Sequence, residues 1–148
     1  MKTVFDKATR HQLIRRIESL NPNATAQWGK MNIYQMLKHC TLADEMYLGK
    51  HKTNRAFIGR IFGKMALKKV LGDDRPLSKS TPTMPFMKVK DESGDILAQK
   101  QQWITTINKY ENHSGTGFIH PFFGRITKEQ LGQMAYKHID HHLRQFNA

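Results

Sequence analysis

Apolar side chains recur at helical spacing along most of this chain, and polar or proline-rich stretches separate the periodic segments. Leu13, Ile14, Ile17 and Leu20 mark a first helix over residues 6–20. Asn21-Pro22 ends it, because the residue before a proline is pushed out of the helical region. A second helix starts at Asn32, a good N-cap with Gln35 three residues on. It runs through Ile33, Met36, Leu37, Cys40 and Tyr47 to a terminator at Gly49. Residues 55–71 carry Phe57, Ile58, Ile61, Phe62 and Met65 on one side, but Gly59 and Gly63 weaken the segment, so only a short helix is expected. From residue 72 to 85, Pro76, Pro82 and Pro85 predict an extended loop wrapped over the domain. Helical period resumes over 95–110 through Ile96, Trp103, Ile104 and Ile107. Residues 115–124 read as a glycine-rich loop, and the last helix opens at Thr127 with Gln130 completing a capping box. Residues 83–90 could be extended, yet nothing pairs with them by alternation. The pattern fits one all-α domain over residues 1–148: a four-helix bundle with a long crossover between its second and third main helices.

A length of 148 residues suits one domain, and a hydrophobic fraction of 39% is enough for a core. One cysteine rules out an internal disulfide framework and a zinc site built from cysteines alone. No run approaches the roughly 20 apolar residues of a membrane span, and the N-terminus lacks a signal-peptide stretch. A cytoplasmic protein with no membrane span is expected. Lys and Arg number 24 against 12 Asp and Glu, a formal charge of +12. Seven basic residues and no acidic one fall between Lys50 and Lys69. Such a segment could meet phosphates or, through Phe57, Ile61 and Phe62, a membrane surface. No helix-turn-helix, zinc-finger or RNA-recognition signature accompanies it, so a solvated basic face is the simpler reading and nucleic acid the less favoured partner. Gly59 and Gly63 lack the spacing and the Lys-Ser/Thr of a phosphate loop.

The eight histidines change the picture more. On a wheel of about 100° per residue, Leu131, Met134, Ala135, Ile139 and Phe146 define an apolar arc of the last helix. His138 and His142 fall near its middle, one turn apart, where an unpaired imidazole is costly. Gln145 shares that face, His141 sits at its edge and Asp140 points away. Two imidazoles at i and i+4 can hold one metal ion. His39, flanking the apolar face of the second helix, is the best third ligand, and three ligands leave coordination positions open. The bland alternative is a pair of hydrogen-bonded core histidines. His120 could act as acid or base from the preceding loop, although anchoring that loop is the better reading. Gln145 is a candidate for contact with substrate or ligand, and Trp28 reads as a core cap that could line the pocket mouth. Cys40 lies on the apolar stripe and reads as packed and inert.

Three motifs carry a family resemblance: Trp28-Gly29-Lys30-Met31-Asn32 leading to Met36-Leu37-Lys38-His39-Cys40; His120-Pro121-Phe122-Phe123-Gly124-Arg125; and His138-Ile139-Asp140-His141-His142-Leu143-Arg144-Gln145-Phe146. With them the chain resembles the DinB-like superfamily, which includes the YfiT-like metal-dependent hydrolases and thiol transferases. The resemblance implies an up-down-down-up four-helix bundle and frequent homodimers. It also implies a divalent metal held by His39, His138 and His142. Zinc, nickel, iron and manganese all suit histidine ligands to differing degrees. Members with assigned chemistry join a low-molecular-weight thiol to an electrophile, so a thiol cofactor and a small-molecule substrate are expectations too. The branch it resembles has no assigned reaction.

Overall fold

Four of the helices begin the same way. The side chains of Asp6, Asn32, Asp95 and Thr127 accept a hydrogen bond from the backbone N–H three residues on, at Thr9, Gln35, Ala98 and Gln130. At Asn32 and Thr127 the glutamine side chain returns the bond, closing both capping boxes expected from the sequence. These caps open α1 (Lys7–Ser19), α2 (Ile33–Tyr47), α4 (Ile96–Asn108) and α5 (Lys128–Gln145) in a computed structural model that describes residues 1–148. The four pack together, with α2 against α4 and α5, and α1 against α4 and α5. Leu13, Ile17, Met36, Leu37, Met46, Trp103, Ile107, Leu131, Ile139 and Leu143 are fully buried between them.

The four-helix bundle expected from periodicity is not what forms. The chain has five helices and a two-stranded antiparallel sheet. The crossover contains α3 (Phe57–Val70), a 14-residue helix rather than a short one. Residues 117–127, read mostly as loop, form a hairpin of β1 (Gly117–His120) and β2 (Gly124–Thr127), in register Phe118 with Ile126 and His120 with Gly124. Four-residue strands are too short to show alternation above noise, which is why the pattern concealed them. Gly124 closes the turn at φ +85, a conformation other residues adopt reluctantly. Residues 83–90 pair with nothing and contain a single 3-10 turn, Pro85–Met87.

The glycines that weaken α3 as a helix are what place it. A Cβ on Gly59 or Gly63 would collide with the backbone carbonyl of Phe122, so the helix backbone lies directly on the hairpin turn. α3 starts without a side-chain cap. Instead the Ala56 N–H donates to the Pro121 carbonyl at 3.0 Å, and the Arg55 guanidinium donates to the carbonyls of His120, Phe122 and Gly59 at 3.0–3.1 Å. At its far end Lys137 Nζ, on α5, donates to the carbonyls of Val70, Asp73 and Arg75 at 2.6–2.9 Å. Gly63→Val is therefore expected to destabilise the protein by about 1–3 kcal/mol, read by chemical denaturation, although valine is the better helix former. A gain in stability would show that the close approach to Phe122 contributes nothing.

Candidate metal centre

His39 stands in the middle of α2, and His138 and His142 stand on successive turns of α5, which packs against α2. One nitrogen from each of the three rings lies within 4.8 Å of the others. The ring centroids are 5.2 Å apart for His39 and His138, 4.9 Å for His39 and His142, and 4.7 Å for His138 and His142.

Hydrogen bonds orient two of the rings. His39 Nδ1 lies 3.0 Å from the Met87 carbonyl oxygen. A carbonyl only accepts, so Nδ1 carries the hydrogen and Nε2 is left as a lone pair. Gln145 fixes His142 by the same logic. Its Nε2 donates to the Trp28 carbonyl at 2.6 Å, which turns its Oε1 toward His142 Nδ1 at 2.8 Å. His142 therefore also presents an unprotonated Nε2. His138 is different: its Nε2 is 3.3 Å from His39 Nε2, while its Nδ1 is sealed from solvent with no hydrogen-bond partner.

Burial holds all three rings neutral. It lowers His39 below the usual imidazole range, opposed by the Met87 carbonyl. Burial, and then the neighbouring His142 and His39, push His138 well below that range. Burial and His39 bring His142 down to about 3, although its bond to Gln145 works the other way. Neutral imidazole is the form that binds a metal, and protons compete little for these nitrogens near neutral pH.

The remaining candidates surround this group without joining it. His120 ends β1, and its Nδ1 accepts from the backbone N–H groups of Phe122 and Phe123 at 3.1 and 3.2 Å. Its ring lies 4.6 Å from that of Phe123, and burial followed by the Arg55 charge lowers it to about 4. It anchors the hairpin turn and has no acidic proton to give at neutral pH. His141 is buried beside Trp28, their rings 5.4 Å apart, and burial lowers it as well. Trp28 is half-buried, its Nε1 has no partner, and Lys79 Nζ sits 4.5 Å from the centre of its ring. Cys40 is fully buried, with Sγ 3.8 Å from Met36 Sδ, and burial pushes its thiol well above the ordinary range. It is packed and unreactive. The carbonyls of Met87 and Trp28 complete the surroundings. No sequence pattern could have named them, because a backbone oxygen carries no residue signature.

No helix is long and apolar enough to cross a membrane. No curated protein and no solved structure matches the chain. A family model does, over residues 5–148, nearly the whole length, and by that match the chain belongs to the DUF1569 family of proteins of unknown function.

Proposed function

We propose that this chain holds a divalent metal ion between His39, His138 and His142 and uses it, in the cytoplasm, on a small-molecule substrate. The observation that carries the reading is the convergence of three neutral imidazoles within 4.8 Å, two of them fixed through Nδ1 by Met87 and Gln145. Metal-bound histidines are commonly oriented in this way by a partner on the other ring nitrogen. One ring pair also stands at the spacing an ion would set. Nitrogens at 2.0–2.1 Å from a tetrahedral zinc stand about 3.3–3.4 Å apart, and His39 Nε2 and His138 Nε2 stand at 3.3 Å. Without an ion the two facing Nε2 atoms can share only one hydrogen. The resemblance to DinB-like proteins selects the same three residues.

When bound, a divalent ion in such a site supplies Lewis acidity, which favours the deprotonated form of an oxygen or sulfur near neutral pH. The chain's own residues position and exclude. Met87 and Gln145 hold the rings, Trp28 holds Gln145, and His120 braces the turn above. Cys40, the chain's one thiol, is sealed in the core and does not reach a substrate. In this reading the attacking group is a thiol or a water brought in from solution, as in a thiol transferase or a hydrolase. A homodimer accompanies this reading through the resemblance.

Elemental analysis of protein purified without a histidine tag tests the first step, with near one ion per chain expected. Screening thiols against electrophiles, and esters and amides against water, with metal removed and restored, tests the second. Metal-dependent turnover supports an enzyme. A full metal load with no turnover leaves a metal-binding protein, and no metal at all ends the proposal. Gln145→Met should keep the fold while weakening metal affinity about 10–100-fold, as read by competition with a chromophoric chelator. Unchanged affinity would show that Gln145 plays no part in holding His142.

A further inference from the structure

α3 gives the protein only its narrow side. Gly59, Gly63 and Leu67 are buried, whereas Phe57, Ile58, Ile61, Phe62 and Met65 stay between 47 and 77% exposed. At about 100° per residue those five side chains fill one continuous arc of about 140°, and the buried residues lie on the opposite side. A run of large apolar side chains in water along one helix marks a surface made for contact.

Charge identifies the contact. Arg60 and Lys64 border the apolar arc, Lys68 and Lys69 occupy its last turn, and no acidic residue occurs from Lys50 to Gly72. Beside the helix an open cleft of about 430 Å³ is lined by Lys64 and Lys68 of α3 together with Arg125 of β2 and Gln130 of α5. Three cations thus converge next to an exposed apolar stripe. Two other occupants fit less well. A second copy placed symmetrically on this face would bring Arg60, Lys64 and Lys68 of both chains together with no carboxylate to answer them. A nucleic acid would answer the cations and leave the phenylalanines and isoleucines in water.

We propose that α3 docks the protein on an anionic lipid bilayer. Phe57, Ile58, Ile61, Phe62 and Met65 enter the boundary between headgroups and acyl chains, and Lys64, Lys68 and Arg125 meet the lipid phosphates. The helix lies in the plane of the surface, as amphipathic helices with basic polar faces do. Gly59 and Gly63 keep it flat on the hairpin turn, so that its apolar side faces outward. This inference does not depend on the histidine site.

Co-sedimentation of the full chain with vesicles tests it, using phosphatidylcholine alone and phosphatidylcholine mixed with phosphatidylglycerol. Binding to the anionic vesicles is expected to be at least about tenfold tighter. The exposed double substitution Phe57→Ser with Phe62→Ser should weaken it by about tenfold or more, and Lys64→Glu with Lys68→Glu should weaken it comparably. Equal binding to both vesicle types would overturn the proposal, as would full binding by the phenylalanine variant, which would leave only a general attraction between charges. Two further results would also overturn it: a wild-type dimer in sedimentation that the phenylalanine variant converts to monomer, or duplex DNA that displaces the vesicles and binds the phenylalanine variant undiminished.

Discussion

Saturating zinc or nickel is expected to raise the unfolding midpoint of the ion-free wild-type chain by about 5–10 °C and to leave His138→Ala and His142→Ala where they were. A ligand that binds only the folded state at a hundredfold excess over its Kd adds about 2.7 kcal/mol. For a chain of this length each kcal/mol moves the midpoint by about 2–4 °C. Two rings cannot replace three here, because either variant leaves only His39 and a single ring of α5, and the ion half-ligated. Each variant is compared with its own ion-free form, so the loss of a buried ring does not enter the difference. His11→Ala is the control: His11 is exposed on α1, far from the group in sequence, and should respond like wild type. Equal shifts in wild type and in the His138 and His142 variants would mean that the ion binds elsewhere, and would remove the metal reading.

The grouping of His39, His138 and His142 is more legible in the sequence than the fold is, for a physical reason. A histidine pair at i and i+4 in the middle of an apolar arc can be read from one helix, because helical geometry alone turns both rings inward. His39 needed only one further assumption, that α2 and α5 face each other. The fold required non-local information. Gly59 and Gly63 read as helix weakeners because propensity is local, whereas their lack of side chains matters only against the carbonyl of Phe122, some 60 residues on. The hairpin was hidden for the same reason: Phe118 and Ile126 pair across a turn in strands of four residues. Asp44 carries a signal of its own in the sequence. It shares the stripe of Leu37, Cys40 and Tyr47, and a carboxylate at that position must either break the helix face or find donors inside the core.

Asp44 found donors, and removing it should be among the costlier single changes in this chain. Its Oδ2 accepts from Trp103 Nε1 at 2.8 Å and its Oδ1 from the Tyr110 hydroxyl at 2.7 Å, and all three residues are fully buried. The contact ties α2 to α4 and to the 3-10 turn that follows α4. Asp44→Ala deletes both acceptors, and two buried donors are left without partners. A loss of about 2–5 kcal/mol is expected in urea denaturation; a loss below about 1 kcal/mol would show that the network adds nothing net. The pH dependence gives a second test. Burial raises the Asp44 carboxyl from 3.8 to about 7, while the bonds from Trp103 and Tyr110 hold it down. Folding therefore takes up a proton at Asp44 between those values, so its contribution to stability is full below 3.8 and is lost as the pH rises to about 7. The slope from this one group is at most about 1.4 kcal/mol per pH unit. The buried histidines act in the opposite sense. His142 and His120 are lowered from 6.5 to about 3 and about 4, so their contribution is lost as the pH falls below 6.5. Asp44→Asn separates the two effects, because it keeps the shape of the protonated acid and leaves every histidine in place. Relative to wild type, it should lose less stability at pH 7 than at pH 4.5. A gap that does not change with pH would mean that Asp44 stays ionised in the folded chain, with Trp103 and Tyr110 outweighing the cost of burying its charge.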